Sequence, residues 1–196
     1  MQVLYSEDHR LHFPQAELSG GQFVTPFERP SRVEYVLNRL RERKLVDIIA
    51  PDAVDMAPVR ALLDPGYLTF LQTVWQEWKA EGMAGEVIAA NIPARGMHMD
   101  RIPQNIDGKV GYYCHASETA MTQGTWAAAL ASVACAQTAQ RHVAAGADSA
   151  FALCRPPGHH ATADQYGGYC FINNAAVVAE MFRTSGEVVR QNWTAC

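Results

Sequence analysis

The chain has 196 residues, 48% of them hydrophobic and 18% charged, with 16 Lys and Arg against 20 Asp and Glu, a formal charge of −4. That length is enough for one sizeable core, and the composition is that of a soluble globular protein. The mild acidity gives no electrostatic reason to expect nucleic acid as a partner, and no apolar run approaches the roughly 20 residues that a membrane helix needs. The five cysteines, Cys114, Cys135, Cys154, Cys170 and Cys196, are odd in number and none are spaced as C-x-x-C. This argues against a disulfide framework or a structural zinc site and for a reducing compartment. The N-terminus lacks a basic region followed by an apolar stretch, so no secretory signal is read there and a cytoplasmic location is expected.

In chain order, Val3–Tyr5 reads as a short strand. Ser31, with Glu34 completing a capping box, predicts a helix start, and Val33, Val36, Leu37 and Leu40 form its apolar face. Asp47–Ala50 is a second short strand. Tyr67–Lys79 repeats the helical pattern through Tyr67, Leu71, Val74, Trp75 and Trp78, with Gly82 placed to stop it. Residues 83–113 show no clear period and carry several glycines and two prolines, which predicts a long loop. An Ala-rich helix follows from about Thr125 to Ala145, ended by Gly146. Ser149–Cys154 is the best candidate for a buried parallel strand, and Asn174–Arg183 is the next helix, with Gly186 at its end. Strands alternating with helices imply an α/β fold with a mainly parallel sheet.

The segment between Cys154 and Asn174 carries the chemistry. Pro156, Pro157 and Gly158 forbid continuation of the strand, and His159 and His160 follow at once. Two imidazoles thus stand just beyond the carboxyl end of a parallel strand, where open α/β sheets place their ligand sites. Imidazole titrates near 6.5 and suits proton transfer. Adjacent loop residues point in different directions, so the pair suits proton chemistry better than joint metal ligation. From the pair alone, a surface loop with incidental histidines is the stronger reading. Gly167 and Gly168 allow close approach of a ligand. Cys170, near both histidines in sequence, opens a further alternative, a thiol hydrolase.

The full run, Arg155-Pro-Pro-Gly-His-His160 followed by Gly167-Gly-Tyr-Cys-Phe-Ile-Asn-Asn174, closely resembles the histone deacetylase and acetylpolyamine amidohydrolase family. Ser6–His9, Glu17–Gly21, Pro26–Glu28, Gly111–Cys114 and Glu118–Ala120 resemble its acetylpolyamine branch, so the similarity runs from residue 1 to about residue 183. It implies a three-layer, mainly parallel sheet flanked by helices, of the arginase and deacetylase kind, and a zinc-dependent removal of acetyl groups from acetylated amines, acetylpolyamine or acetyl-lysine-like. His160 would be the general base and His159 its electrostatic partner, usually paired to a buried aspartate. Gly168 would offer its carbonyl to the substrate amide N–H. Tyr169 would wall the acyl channel, with a plain core aromatic as the alternative. Glu17, Asp107 and Glu118 would sit near the channel mouth and attract a polyamine ammonium, or else be solvated surface carboxylates. Asp107 is shorter than the Glu expected there. The segment 83–113 resembles the insertion through which the polyamine branch dimerises, which implies a homodimer.

The resemblance also implies zinc ligands in an Asp-x-His segment after the next strand, a later Asp and a later Tyr. None is found before the chain reaches its divergent tail, 187–196, where Val188 and Val189 are at most a strand fragment. The expectation is therefore one partial deacetylase domain over 1–196, with no metal ligands of its own. A general base contributes about 10² to 10⁴ in rate, a fraction of what amide hydrolysis requires, so this chain alone is expected to be inactive. A non-catalytic remnant or assembly module is the alternative reading.

Overall fold

Three short parallel strands organise the computed structural model, which describes residues 1–44 and 46–186. The elements run β1 (Gln2–Leu4), a 3₁₀ turn (Glu7–Leu11), β2 (Glu17–Ser19), β3 (Gln22–Val24), α1 (Ser31–Arg43), β4 (Asp47–Ile49), α2 (Met56–Leu62), α3 (Pro65–Ala80), α4 (Ile106–Tyr112), α5 (Thr125–Ala144), β5 (Ala150–Ala152) and α6 (Asn174–Ser185). The sheet order is β4-β1-β5, with Val3 opposite Ile48 on one side and Phe151 on the other, while β2 and β3 form a separate antiparallel hairpin. The tail 187–196, with the strand fragment expected at Val188 and Val189, lies outside the described residues.

Alternation along β1 divides the core. Val3 and Tyr5 pack with Val33 and Leu37 of α1 and with Leu153. Leu4, fully buried, points to the opposite face, where α5 lies against β1 and β5. A parallel sheet flanked by helices is therefore observed, as the alternating pattern implied. The larger core lies among the helices: Tyr67, Phe70, Leu71, Val74 and Trp78 of α3 meet Val110 of α4, Val133 of α5 and Val177 of α6. Tyr166, Phe171 and Ile172, from the far limb of the histidine loop, are part of that same core. No helix among the described residues is long and apolar enough to cross a membrane.

Two local expectations are corrected. Ser31 does not cap α1. Pro30 precedes the helix with helical torsions, φ −52° and ψ −35°, so Ser31 is already its first residue and makes no capping hydrogen bond. Glu34 instead meets Arg10, Nη2 to Oε1 at 3.2 Å. The segment 83–113 is not all loop, because α4 occupies 106–112, capped where the Asn105 side chain accepts from Gly108 N–H at 2.8 Å. Seven residues with two glycines are too short a run to display helical periodicity in sequence. The β2–β3 hairpin has no counterpart in the sequence reading.

His12 joins the N-terminal segment to the start of α5. It is buried, with Nδ1 2.9 Å from Thr125 Oγ1, and its ring meets Phe171 edge-on at 5.3 Å. Burial, and then the charge of Arg155, push its pKa down to about 3; the same two causes push His9 down to about 4. The unfolded chain, titrating near 6.5, therefore takes up protons first as pH falls. Their contribution to stability is complete above about pH 6.5 and is lost as pH drops from there toward the folded values of about 3 and about 4. Urea midpoints measured from pH 7.5 down to 4.5 should fall across this window, and His12→Gln should flatten the slope. An unchanged slope in that variant would show that the buried imidazole does not carry the effect.

Candidate active site

The loop leaves β5 with Leu153 N–H donating to Leu4 O at 2.9 Å and turns at Pro156. Its first anchor is Arg155, 1% exposed and among the largest fully buried side chains. Nε donates to Glu28 Oε1 at 2.9 Å, and Nη1 donates to the carbonyls of His9 and His12 at 2.5 and 2.7 Å. Burial pushes the Arg155 guanidinium down and the Glu28 carboxyl up, each against the attraction of its partner. The pair therefore serves more to fix position than to add net stability. Beyond Arg155, Ser132 Oγ of α5 donates to Pro156 O at 2.8 Å, and Asn174 Nδ2 of α6 donates to Ser132 Oγ at 2.9 Å. At the far end Tyr67 OH donates to Phe171 O at 2.8 Å.

Held at both ends, the loop presents His159 and His160 to solvent, with ring centroids 4.2 Å apart and planes inclined by 50°. Partial burial, and then the charge of His160, lower the pKa of His159. Neither ring has a hydrogen-bond partner among the described residues, so no carboxylate there pairs with His159. Gly168 packs against His160 so closely that a Cβ would lie 2.5 Å from Cδ2 of the imidazole. Its φ of +58° and this contact together call for glycine.

Glu118 and Thr119 hold the next two peptides. Gly168 N–H donates to Glu118 Oε1 at 3.0 Å, and Tyr169 N–H donates to Thr119 Oγ1 at 2.9 Å. Tyr169 is half-buried with φ +63°, and its hydroxyl donates to Glu17 Oε1 at 3.1 Å. Burial first, then the bond to Glu17, push the phenol well above its usual range. Glu17 is 2% exposed, and its other oxygen accepts from Phe27 N–H at 3.0 Å. It is not a solvated surface carboxylate, and the β2–β3 hairpin carries it under the tyrosine.

The structure thus gathers His159, His160, Gly168, Tyr169, Glu118 and Glu17 around one loop. Asp107 lies apart in the first turn of α4, partly exposed, with no hydrogen bond or ion pair among the described residues. The cysteine alternative fails on burial. Cys170 is fully buried, its thiol donates to Gly168 O at 3.2 Å, and its pKa is pushed up to about 11, chiefly by burial. A nucleophilic cysteine needs an exposed thiolate. Sequence reasoning missed His115. Its Nε2 lies 3.1 Å from the carbonyl of His160, and its ring covers Gly167. The signal available was its place between Cys114 and Glu118, two positions already marked. Among the described residues no three His, Cys, Asp or Glu side chains converge where a metal ion could be held.

A parallel sheet carrying paired imidazoles at its carboxyl end, with a glycine against one ring and an oriented tyrosine beside it, defines an α/β protein with two histidines exposed on one anchored loop. The chain belongs to the histone deacetylase domain family, whose model matches residues 26–190. It is 50% identical over 186 residues to the acetylpolyamine amidohydrolase of Mycoplana ramosa, covering 95% of this chain and 54% of that one. It is 46% identical to acetylpolyamine amidohydrolase 1 of Pseudomonas aeruginosa, again over 95% of this chain and 54% of the relative. The crystal structure of acetylpolyamine aminohydrolase from Burkholderia pseudomallei superposes with a TM-score of 0.84 at 34% identity, covering 94% of this chain and 53% of that one. The chain spans about half the length of the relatives it matches.

Removing one partner of a buried, hydrogen-bonded ion pair strands the other charge, typically at a cost of about 3–5 kcal/mol. Glu28→Ala should lower the unfolding free energy by about that amount in urea titrations, and Glu28→Gln, which keeps an acceptor for Arg155 Nε, by clearly less. A loss below about 1 kcal/mol for the alanine variant, within the range of a surface pair, would show that Arg155 does not depend on Glu28.

Proposed function

We propose that this chain carries the acid–base and channel-wall half of a zinc-dependent amidohydrolase that removes acetyl groups from acetylated amines, acetylpolyamines foremost. The observation that carries the reading is the His159–His160 pair held in the open at the carboxyl end of β5, in a chain 50% identical to an acetylpolyamine amidohydrolase. The described residues bring together no ligand set for zinc, so the work assigned to them is proton transfer, orientation and enclosure.

His160 takes a proton from the attacking water and returns it to the departing amine. His159, its pKa lowered, stays uncharged near neutral pH and does not oppose the protonation of its neighbour. Gly168 O accepts the substrate amide N–H with the lone pair that the Cys170 thiol leaves free. Tyr169 forms a wall of the acyl channel. Glu17 sets its orientation, and Glu118 sets the Gly168 peptide. Asp107, outside that cluster but partly exposed and unpaired among the described residues at the start of α4, is available to attract the distal ammonium of a polyamine. Exposed Ile92, Met97 and Ile102 within 83–113 support a homodimer through that segment. The free thiols of Cys114, Cys135 and Cys170 support a cytoplasmic location.

By itself the 196-residue chain should give no hydrolysis above background. A chimera in which residues 1–183 replace the matching portion of the Mycoplana ramosa relative should hydrolyse acetylputrescine in a zinc-dependent manner, and His160→Ala should lower its kcat by about 10² to 10⁴. A folded chimera that is inactive, or one indifferent to His160→Ala, would overturn the proposal.

A further inference from the structure

His115 sits between two groups of the proposed site without being part of its acid–base pair. A carbonyl oxygen only accepts, so the 3.1 Å contact with His160 O requires the proton on His115 Nε2. The same ring lies over Gly167, where a Cβ would fall 2.5 Å from Cε1 and 2.7 Å from Nδ1. Any side chain there would displace the imidazole, so this glycine makes room for a ring. His115 is itself held from behind. Its N–H donates to Tyr166 O at 2.9 Å, and Tyr166 N–H donates to Tyr113 O at 2.8 Å, which ties the 113–115 strand of chain to the loop at 166. Tyr166 is fully buried in the larger core, so the backbone that carries the exposed imidazole is anchored there.

His160 is therefore gripped from two directions. Gly168 packs on its ring, and His115 takes its main-chain oxygen and fixes the plane of the His160–Ala161 peptide. We propose that His115 is a positioning residue for this reaction, a donor that sets the direction in which the His160 imidazole is presented. Its own protonation state is not the device, because both the Nε2–H tautomer and the imidazolium donate from that nitrogen. The inference rests on His160 being the general base, but the geometry it claims is readable without turnover. A displacement of about 1 Å in a reacting group lowers rates by as much as 10²-fold, so even modest loosening has a measurable effect.

The test uses the full 196-residue chain with ¹⁵N-labelled imidazoles. Long-range ¹H–¹⁵N spectra at alkaline pH should show His115 as the Nε2–H tautomer. His115→Phe should move the ring resonances of His160 and average its side-chain couplings, leaving those of distant His142 in place. His115→Gln, which can again offer an N–H to the carbonyl, should restore most of the wild-type pattern. In the chimera described above, His115→Phe should lower kcat about 10-fold with KM unchanged, and His115→Gln should recover most of it. An Nδ1–H tautomer in the wild type, or unmoved His160 resonances in a His115→Phe chain with an unchanged thermal melt, would overturn the inference. A chimera inactive in every form, with the spectra as expected, would overturn the proposed function and leave the positioning intact.

Discussion

A guanidinium without water is the constraint on which the site depends. Arg155 leaves the end of the sheet, enters the interior and is held there through Nε and Nη1 by what the rest of the chain brings to it. That is one carboxylate, from Glu28, and two backbone carbonyls, from His9 and His12. A stranded buried charge is too costly to persist, so these four positions, separated by up to 146 residues, are obliged to meet. Their meeting fixes where the loop starts. The same charge, together with burial, keeps His9 and His12 neutral, which couples the integrity of this region to pH.

From that anchor the loop is built by contacts between backbone and rings. Gly167 lies under His115 and Gly168 under His160, and in both cases the missing Cβ is the space the imidazole occupies. Polar groups finish the arrangement: Glu118 and Thr119 hold successive N–H groups, and Glu17 holds the tip of Tyr169. The imidazoles can be exposed and still oriented because nearly everything behind them is packed or hydrogen-bonded. The proton transfer proposed for them needs that combination, since a base must reach solvent or substrate at a defined angle.

How far this was legible differs from residue to residue. The helix over 65–80 could be read because Tyr67, Leu71, Val74 and Trp78 recur on one face, and the strand at 150–152 because a short apolar run ends at a proline pair. The α4 helix could not, since it is brief and holds two glycines. The capping box at Ser31 was plausible from residue types, but the torsions of Pro30 placed Ser31 one position too far in. Residue identity also marked Glu17 as a carboxylate of interest without telling that the hairpin buries it beneath Tyr169. His115 carried no signal of its own, because its partner is a main-chain oxygen 45 residues away.

What the order of residues settles unaided is whatever depends on neighbours along the chain: helical and strand periodicity, the break after Cys154, the adjacency of two imidazoles, and a run of residues distinctive enough to mark the family. What the folded molecule alone decides is which distant groups share one environment. Arg155 with Glu28, Glu17 with Tyr169, and His115 with His160 are pairings of this second kind. Each is set by burial and by the cost of leaving a polar group removed from water without a partner, and the partner is wherever packing has brought one.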